Sequence, residues 1–439
     1  MTAVPSAERV PTVISRYAGL RMESGWHRQR LAARARSRAF DEAPDARAKI
    51  SVFRSLQITM PVITCIEDLR VLHKKNAPKA FYDYVDAGSY TESTYNANST
   101  DLHALRLRQR VAVNVEQRST ASAMLGEKVA LPAALAPVGL TGMQWADGEI
   151  LAARAAEKFG VPFTLSTMSI NSIEDVAEAT TTPFWFQLYV MRDRDFIKRL
   201  IARAKTAKCS ALVLTLDLQI IGQRHKDLKN GMTVPPKITA GNVFDLMTKP
   251  AWGLRMLGAK RKVFGNIMGH VKGAEGIVSL SKWTASQFDP TLDWGVVEWV
   301  KNEWGGKLIL KGIQDVEDAK LAVRSGADAI VVSNHGGRQL DGASSSIKAL
   351  PPSVDAVGDK IEVWMDGGIR SGQDLLKALA HGAKGTMIGR AFNFGLGALG
   401  EPGVTTALEI IQKEFDTSMA LCGLRSPAEI TRNAILNPY

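Results

Sequence analysis

The 439-residue chain is poor in cysteine: Cys65, Cys209 and Cys422 are all it has, and no two are closely spaced. That argues against a disulfide framework or a cysteine zinc site and makes a reducing compartment the default. No apolar run reaches about 18 residues, so no transmembrane helix is expected. There is no G-x-x-x-x-G-K-[ST] segment, and His27, His73, His103, His225, His270 and His381 show no metal-ligand spacing. With 45% hydrophobic and 23% charged residues the composition is that of a globular enzyme, not of a disordered or fibrous chain.

The net charge is +11. Residues 1–59 hold eleven Lys/Arg against five Asp/Glu, so more than half of the excess is local to that stretch and a nucleic-acid partner does not follow from it. The stretch has no apolar core of the kind a secretory signal needs, and its acidic residues argue against an Arg-rich presequence. It reads as a disordered or non-native N-terminal extension, with Met60 as the alternative start and residues 60–439 as the catalytic unit.

From residue 130 onward, apolar β-rich runs alternate with amphipathic helical ones. The expected strands are 130–137, 162–167, 183–189, 211–217, 307–312, 329–337, 361–368 and 385–390. Most are nearly continuous in apolar residues, as strands buried on both faces of a parallel sheet are. Helical segments at 148–160, 194–209, 316–326 and 372–382 separate them. Eight such units predict an α/β fold, a (β/α)8 TIM barrel with an N-terminal helical extension. One connection breaks the rhythm: residues 218–291, after the fourth strand, form a long insertion. Its basic, apolar centre at 245–275 reads as an active-site lid or as a surface for an anionic membrane.

In such a barrel the active site lies at the C-terminal strand ends. Here those ends carry Ser166, Gln187, Tyr189, Thr215, Asp217, Lys311, Ser333, His335, Arg338, Asp366, Arg370 and Arg390. The last two units end in DGGIRSG and IGR. Glycine-lined turns before helix N-termini, with Arg370 and Arg390, predict a phosphate site. His335 between Asn334 and a glycine pair is a candidate base. Arg338 is a candidate carboxylate clamp, and Asp217 a candidate partner for the imidazole. Lys311 suits an anionic cofactor group, a Schiff base or a snorkelling rim position. Gly395–Gly400 matches G-x-G-x-x-G but follows the last strand, which argues against a dinucleotide turn.

SNHGGRQLDG (333–342) resembles the active-site signature of the FMN-dependent 2-hydroxy-acid dehydrogenase/oxidase family. FYDYVDAGSY (81–90), LAPVGLTGM (135–143), TLSTMS (164–169), FQLYV (186–190), LTLD (214–217), LKG (310–312), DGGIRSG (366–372) and IGR (388–390) extend the likeness over 60–435. Within the family the chain looks most like the bacterial respiratory L-lactate dehydrogenases. The resemblance implies FMN as cofactor, a small 2-hydroxy acid as substrate and a homotetramer. It implies His335 as the base and Asp217 as its partner, with Arg338 and Arg224 on the substrate carboxylate and Tyr84 and Tyr189 on the substrate. It further implies Lys311 beside the flavin N1/O2 edge. Ser166, Gln187, Thr215 and Ser333 would meet the ring, with Val138 and Gly139 lining it through backbone. Asp366 would hold the ribityl chain, and Gly367, Gly368, Arg370, Gly389 and Arg390 would surround the phosphate.

Two departures matter. Met168 stands where glycolate oxidases of the family carry Trp, which puts a glycolate pocket in doubt. Gly139 stands where many oxidases carry Ala, which leans toward an acceptor other than oxygen. No haem domain is present in the sequence, so electrons are expected to pass to a quinone or another carrier. The expected location is cytoplasmic, with peripheral contact on the inner face of the cell membrane through 245–275. The competing readings are a peroxide-forming oxidase, a mandelate-type dehydrogenase, an isomerase on a phosphate-binding barrel and a non-catalytic scaffold.

Overall fold

The computed structural model describes residues 62–233, 236–271 and 276–439. The expectations for residues 1–59 lie outside the described residues. The chain divides into two units, Met1–Val62 and Ile63–Tyr439, and the elements below all belong to the second.

Three helices come first: α1 (Ile66–Asn76), α2 (Lys79–Asp86) and α3 (Ser93–Ala104). A hairpin follows, β1 (Ser122–Met124) against β2 (Glu127–Val129). The barrel strands are β3 (Ala133–Leu135), β4 (Thr164–Ser166), β5 (Trp185–Tyr189), β6 (Ala211–Thr215), β7 (Lys307–Ile313), β8 (Ala329–Val332), β9 (Glu362–Met365) and β10 (Gly385–Ile388). They pair in parallel in the order β3-β10-β9-β8-β7-β6-β5-β4. A parallel bridge from Leu135 to Phe163 closes the ring between β3 and the start of β4.

The helices between barrel strands are α4 (Gly148–Phe159), α5 (Ile173–Ala179) and α6 (Arg194–Thr206). After β6 come α7 (His225–Lys229), α8 (Ala240–Met247), α9 (Pro250–Leu257), α10 (Ile277–Gln287) and α11 (Trp294–Trp304). The later units add α12 (Val316–Arg324), α13 (Ser346–Val357), α14 (Gly372–Ala380), α15 (Arg390–Leu399) and α16 (Glu401–Leu421). Side-chain caps fix several starts: Ser172, Asp193, Asp293 and Ser371 each accept a hydrogen bond from a backbone N–H of the first turn.

Alternation along the strands decides what faces where. One series, including Leu212, Leu214, Leu308, Leu310, Ile330, Val332, Val363 and Met365, packs outward with the helices in one large core. The other series fills the barrel: Ala134, Trp185, Ala211, Val213, Ile309, Ala329, Val331, Trp364 and Met387. Trp185 and Trp364 stack at its centre, 5.3 Å apart and 9° from parallel. Met124, Leu125 and Val129 of the hairpin join this cluster. They plug the end at which the strands begin, where Lys307 donates to the Leu125 carbonyl at 2.6 Å. The other end is left for chemistry.

All eight expected strands exist; the fifth runs one residue further, to Ile313, and the other seven are shorter than the apolar runs. The first shrinks to three residues because Pro132 and Pro137 flank it and have no N–H to give a ladder. The sixth stops at Val332 instead of running to 337, because His335, Gly336 and Gly337 all have φ between 57° and 73°. The seventh stops at Met365 ahead of Gly367 and Gly368, at φ 91° and 90°. The insertion at 218–291 is no structureless loop: α7 to α10 lie in it, and Phe288 bridges antiparallel to Met191.

Gly395–Gly400 lies in and just after α15, not in a strand-to-helix turn. A Cβ on Gly397 would stand 1.9 Å from the His73 ring, and one on Gly395 would stand 2.1 Å from the Gly403 carbonyl. These glycines let α15 pack tightly on α1 and α16. His73 itself is buried, 2.9 Å from Gln144 Oε1.

Candidate active site

The interior series explains why the polar residues meet. Two residues beyond Trp185 comes Gln187, beyond Val213 comes Thr215, and beyond Ile309 comes Lys311. Val331 is followed in the same way by Ser333, Trp364 by Asp366 and Met387 by Gly389. Each of these six strands thus ends its inward face with a polar group or a glycine, at the end away from the hairpin plug.

A cavity of about 270 Å³ opens there. Its walls include Tyr84, Val138, Gly139, Tyr189, Arg224, Lys311, His335, Arg338, Asp366, Gly367, Gly368, Arg370, Gly389 and Arg390. Ser166, Gln187, Thr215, Asp217 and Ser333 are not on that wall; they stand at the strand ends behind it. Ser166 Oγ and Gln187 Oε1 are 3.1 Å apart, and both side chains are buried.

His335 sits in a left-handed turn of three residues, an unusual conformation for a side chain beyond glycine. Only glycine can follow it: a Cβ on Gly337 would fall 2.5 Å from the Tyr95 backbone. The turn brings His335 Nδ1 to 2.8 Å from Asp217 Oδ1. Burial pushes the Asp217 carboxyl up, but the His335 ring and then Lys311 outweigh it and hold the group below its usual range. An ionised carboxylate only accepts, so Nδ1 carries a proton and Nε2 is the ring nitrogen left for proton transfer.

Lys311 lies beside a bulge, where the register with β8 shifts between Lys311 and Ile313. Its ammonium pairs with Asp366 Oδ2 at 2.7 Å and donates to Ser333 Oγ at 2.8 Å. Tyr189 ends β5; burial, then the neighbouring Tyr84 and Asp217, push its phenol up, so it remains a donor.

The guanidiniums divide into two kinds. Arg224 pairs with Asp227 at 2.5 Å. Arg338, Arg370 and Arg390 have no carboxylate within salt-bridge distance among the described residues; their hydrogen bonds go to backbone carbonyls. Arg338 donates to Tyr84 O at 2.5 Å and Ala87 O at 3.1 Å. Arg390 donates to Val85 O, Gly336 O and Ala87 O, tying the His335 turn to the C-terminal end of α2. The expected fork of Arg370 and Arg390 is therefore partly spent on backbone, with two of the five N–H groups of Arg390 left over. Loss of hydration pushes all three arginines down, Arg390 to about 9. Part-buried, unpaired cations of this kind ask for an anion.

Leu218, Ile221, Phe264, Thr284 and Phe288 also line the cavity, and sequence reasoning did not single them out. All come from the insertion, where no strand period marks an inward face. Asp227, the partner of Arg224, went unnoticed for the same reason.

Such a site belongs to a barrel enzyme that holds a phosphate-bearing cofactor and an anionic substrate side by side. Comparison with known proteins gives the same class. A family model described as FMN-dependent dehydrogenase matches residues 73–437. The L-lactate dehydrogenase of Caulobacter vibrioides is 44% identical over 376 residues, which cover 85% of this chain and 98% of that one. That of Actinobacillus pleuropneumoniae is 45% identical over 377 residues, covering 86% and 99%. Among solved structures, the monotopic membrane protein (S)-mandelate dehydrogenase matches with a TM-score of 0.82 and 34% identity, over 86% of this chain and 100% of that one. A mandelate oxidase matches with 0.73 and 34%, over 85% and 98%. The chain belongs to the FMN-dependent dehydrogenase family, and FMN is its cofactor.

The residues fit that group. Unpaired Arg370 and Arg390 match a phosphate of about two negative charges. Buried Gln187 Nε2, Thr215 Oγ1 and Asp366 Oδ1 have no partner of their own, as expected of groups that meet a polar ligand.

Proposed function

We propose that the chain oxidises an L-2-hydroxy acid, L-lactate first among them, to the 2-keto acid and passes the electrons to a quinone or another membrane carrier. FMN, when bound, supplies the two-electron acceptor. Arg370, Arg390 and the backbone of Gly367, Gly368 and Gly389 would hold its phosphate, and Asp366 its ribityl hydroxyls. Val138, Gly139, Ser166, Gln187, Thr215, Lys311 and Ser333 would hold its ring system. Arg338 and Arg224 receive the substrate carboxylate, and the Tyr84 and Tyr189 hydroxyls hold the substrate in place. His335 Nε2 takes a proton from the substrate, and Asp217 stabilises the imidazolium that forms. Fixed charge of this kind costs no reorganisation when the reaction occurs.

The observation that carries the reading is the 2.8 Å His335–Asp217 pair in the turn that also presents Arg338. Anaerobic titration of the purified yellow protein with L-lactate tests it: the flavin band should bleach. A band unmoved by lactate, mandelate and other 2-hydroxy acids defeats the proposal. Slow reoxidation of the bleached enzyme in air supports the dehydrogenase over the oxidase.

Peripheral membrane contact has its own support. On α9, Trp252 and Met256 are buried, with Trp252 stacked on Phe81. The opposite face and α8 expose Phe244 (72%), Met247 (75%), Leu254 (70%) and Leu257 (73%), a cluster that water does not favour. The basic part is smaller than its sequence implies, because Lys260 and Arg261 are paired with Asp175. Among the described residues no helix is long and apolar enough to cross a membrane. Binding to anionic vesicles should fall when Phe244 and Met247 are both replaced by Glu; equal binding by wild type and variant rejects this contact.

A further inference from the structure

Arg224 stands on the insertion and not on a barrel strand, so its aim toward the cavity needs its own support. Helix α7 supplies it. Asp227 Oδ2 accepts the Arg224 Nε–H at 2.5 Å. Helix α7 is fixed to the region of α2 without help from Asp227: Asn230 Nδ2 donates to Asp83 Oδ2 at 2.7 Å, and Lys226 pairs with Glu92 at 2.9 Å. The Tyr84 ring then lies near both guanidiniums, 5.9 Å from Arg224 and 4.7 Å from Arg338.

Two features of Asp227 exceed what a helix clamp needs. It is buried, yet its Oδ1 has no partner, whereas a carboxylate kept for packing alone normally has both oxygens satisfied. Its charge also reaches Arg338, where it opposes the depression caused by burial and by Arg224. Two guanidiniums and one carboxylate leave a single positive charge, the complement of one carboxylate.

We infer that Asp227 is a positioning residue that aims Arg224 at the substrate carboxylate and sets the charge of the Arg224–Arg338 site to suit a monoanion. The inference rests on the reading of those two arginines as carboxylate ligands. Without Asp227 the Arg224 side chain is free to leave the cavity, and the site carries one more positive charge than a monocarboxylate needs.

The FMN-loaded protein and its Asp227→Ala and Asp227→Asn variants test this. Asp227→Ala should raise the KM for L-lactate by about tenfold or more, the loss of one charge-assisted hydrogen bond. Flavin bleaching at saturating lactate should stay within about threefold of wild type, since no group touching the reacting atoms has changed. Asp227→Asn keeps the shape and removes the charge. It should bind the dianion oxalate several-fold more tightly relative to the monoanion pyruvate, read from perturbation of the oxidised flavin band. A KM unchanged in Asp227→Ala, or an oxalate-to-pyruvate ratio unchanged in Asp227→Asn, overturns the inference; a purely structural Asp227 would lower thermal stability and leave both alone. If Asp227→Ala does not fold, the anion ratio of Asp227→Asn decides. If the wild type is bleached by no 2-hydroxy acid, the proposed substrate falls, and the anion ratio still judges Asp227 by itself.

Discussion

Replacing Asp217 by Asn isolates the electrostatic part of the base. The side chain keeps its size, and the site keeps His335, so any change reports the charge and the proton it fixes. Asp217 Oδ1 lies 2.8 Å from His335 Nδ1, and Asp217 Oδ2 is buried with no hydrogen-bond partner. The pair is therefore the main use of that carboxylate in the site. An imidazolium and a carboxylate about 4 Å apart between charge centres attract by about 4 kcal/mol at an effective dielectric constant of about 20. A neutral amide retains part of that as a hydrogen bond if its carbonyl faces Nδ1. If its NH2 faces Nδ1 instead, the ring takes the other tautomer and Nε2 has no lone pair to offer. The loss is thus about 2–4 kcal/mol in the step that protonates His335, or about 30- to 1000-fold in rate. Anaerobic stopped-flow bleaching of the flavin at saturating L-lactate measures that step without the acceptor. FMN content and thermal midpoint should be close to wild type. A bleaching rate within about threefold of wild type refutes the reasoning, because the charge then does nothing for the base.

The remaining predictions touch packing and pH. Gly139→Ala places a methyl 3.0 Å from the Tyr84 hydroxyl and 3.2 Å from Met168 Cβ. The fold should survive while KM for the substrate rises by about three- to tenfold as Tyr84 shifts; an unmoved KM shows that the Tyr84 hydroxyl does not hold the substrate. His73 is buried neutral, and burial pushes it down to about 4 from an ordinary 6.5 despite the Gln144 hydrogen bond. The unfolded chain takes up that proton first, so stability is full above about pH 6.5 and falls between 6.5 and 4, by at most about 3 kcal/mol from this group. Denaturant unfolding across that window should show a shallower slope for His73→Asn, and parallel slopes would discount His73. Gly397→Ala drives a methyl into the His73 ring, which cannot retreat from the core, and should lower the thermal midpoint by several degrees, about 1–3 kcal/mol; an unchanged midpoint would mean that α15 moves freely on α1.

The barrel and its chemistry were legible for one reason. Strands buried on both faces are apolar throughout, so a polar residue inside such a run has to be explained, and the strand period points it inward. Gln187, Thr215, Lys311, Ser333 and Asp366 stand out in the sequence on that ground, and all sit at the strand ends around the cavity. The hairpin β1–β2 was not legible: its strands are three residues long, and Glu127 and Lys128 are exposed. Strand ends were overestimated wherever a left-handed turn follows, because an apolar run says nothing about φ. The glycines at 367–368 read as a turn from the sequence, yet neither they nor those at 336–337 fix where the strand stops, since glycine fits a strand end or a turn alike.

The insertion shows the opposite limit. Arg224, Phe264, Thr284 and Phe288 reach the cavity from residues whose secondary structure is irregular in order and spacing. Their placement depends on long-range ties that no local pattern encodes. Asn266 is the clearest of these: fully buried, it accepts from Ile173 N at 2.9 Å and donates to Ser169 Oγ at 3.0 Å and Ser166 O at 3.3 Å. Gly265 adds a backbone bond to Ile170 O at 3.0 Å, in a space where a Cβ would clash. Through these contacts the insertion grips the loop after β4, the loop that carries Met168 to the cavity. A segment clamped in this way is no free lid, although α8 and α9, further out on the same segment, present bare apolar side chains. The physical consequence is a division of labour. The strand ends gather Asp217, Lys311 and His335 in one ring, while the insertion supplies the apolar wall and Arg224, the second arginine of the proposed carboxylate site. The proposed membrane contact would use the outer helices, and the ties made by Gly265 and Asn266 hold the wall independently of it.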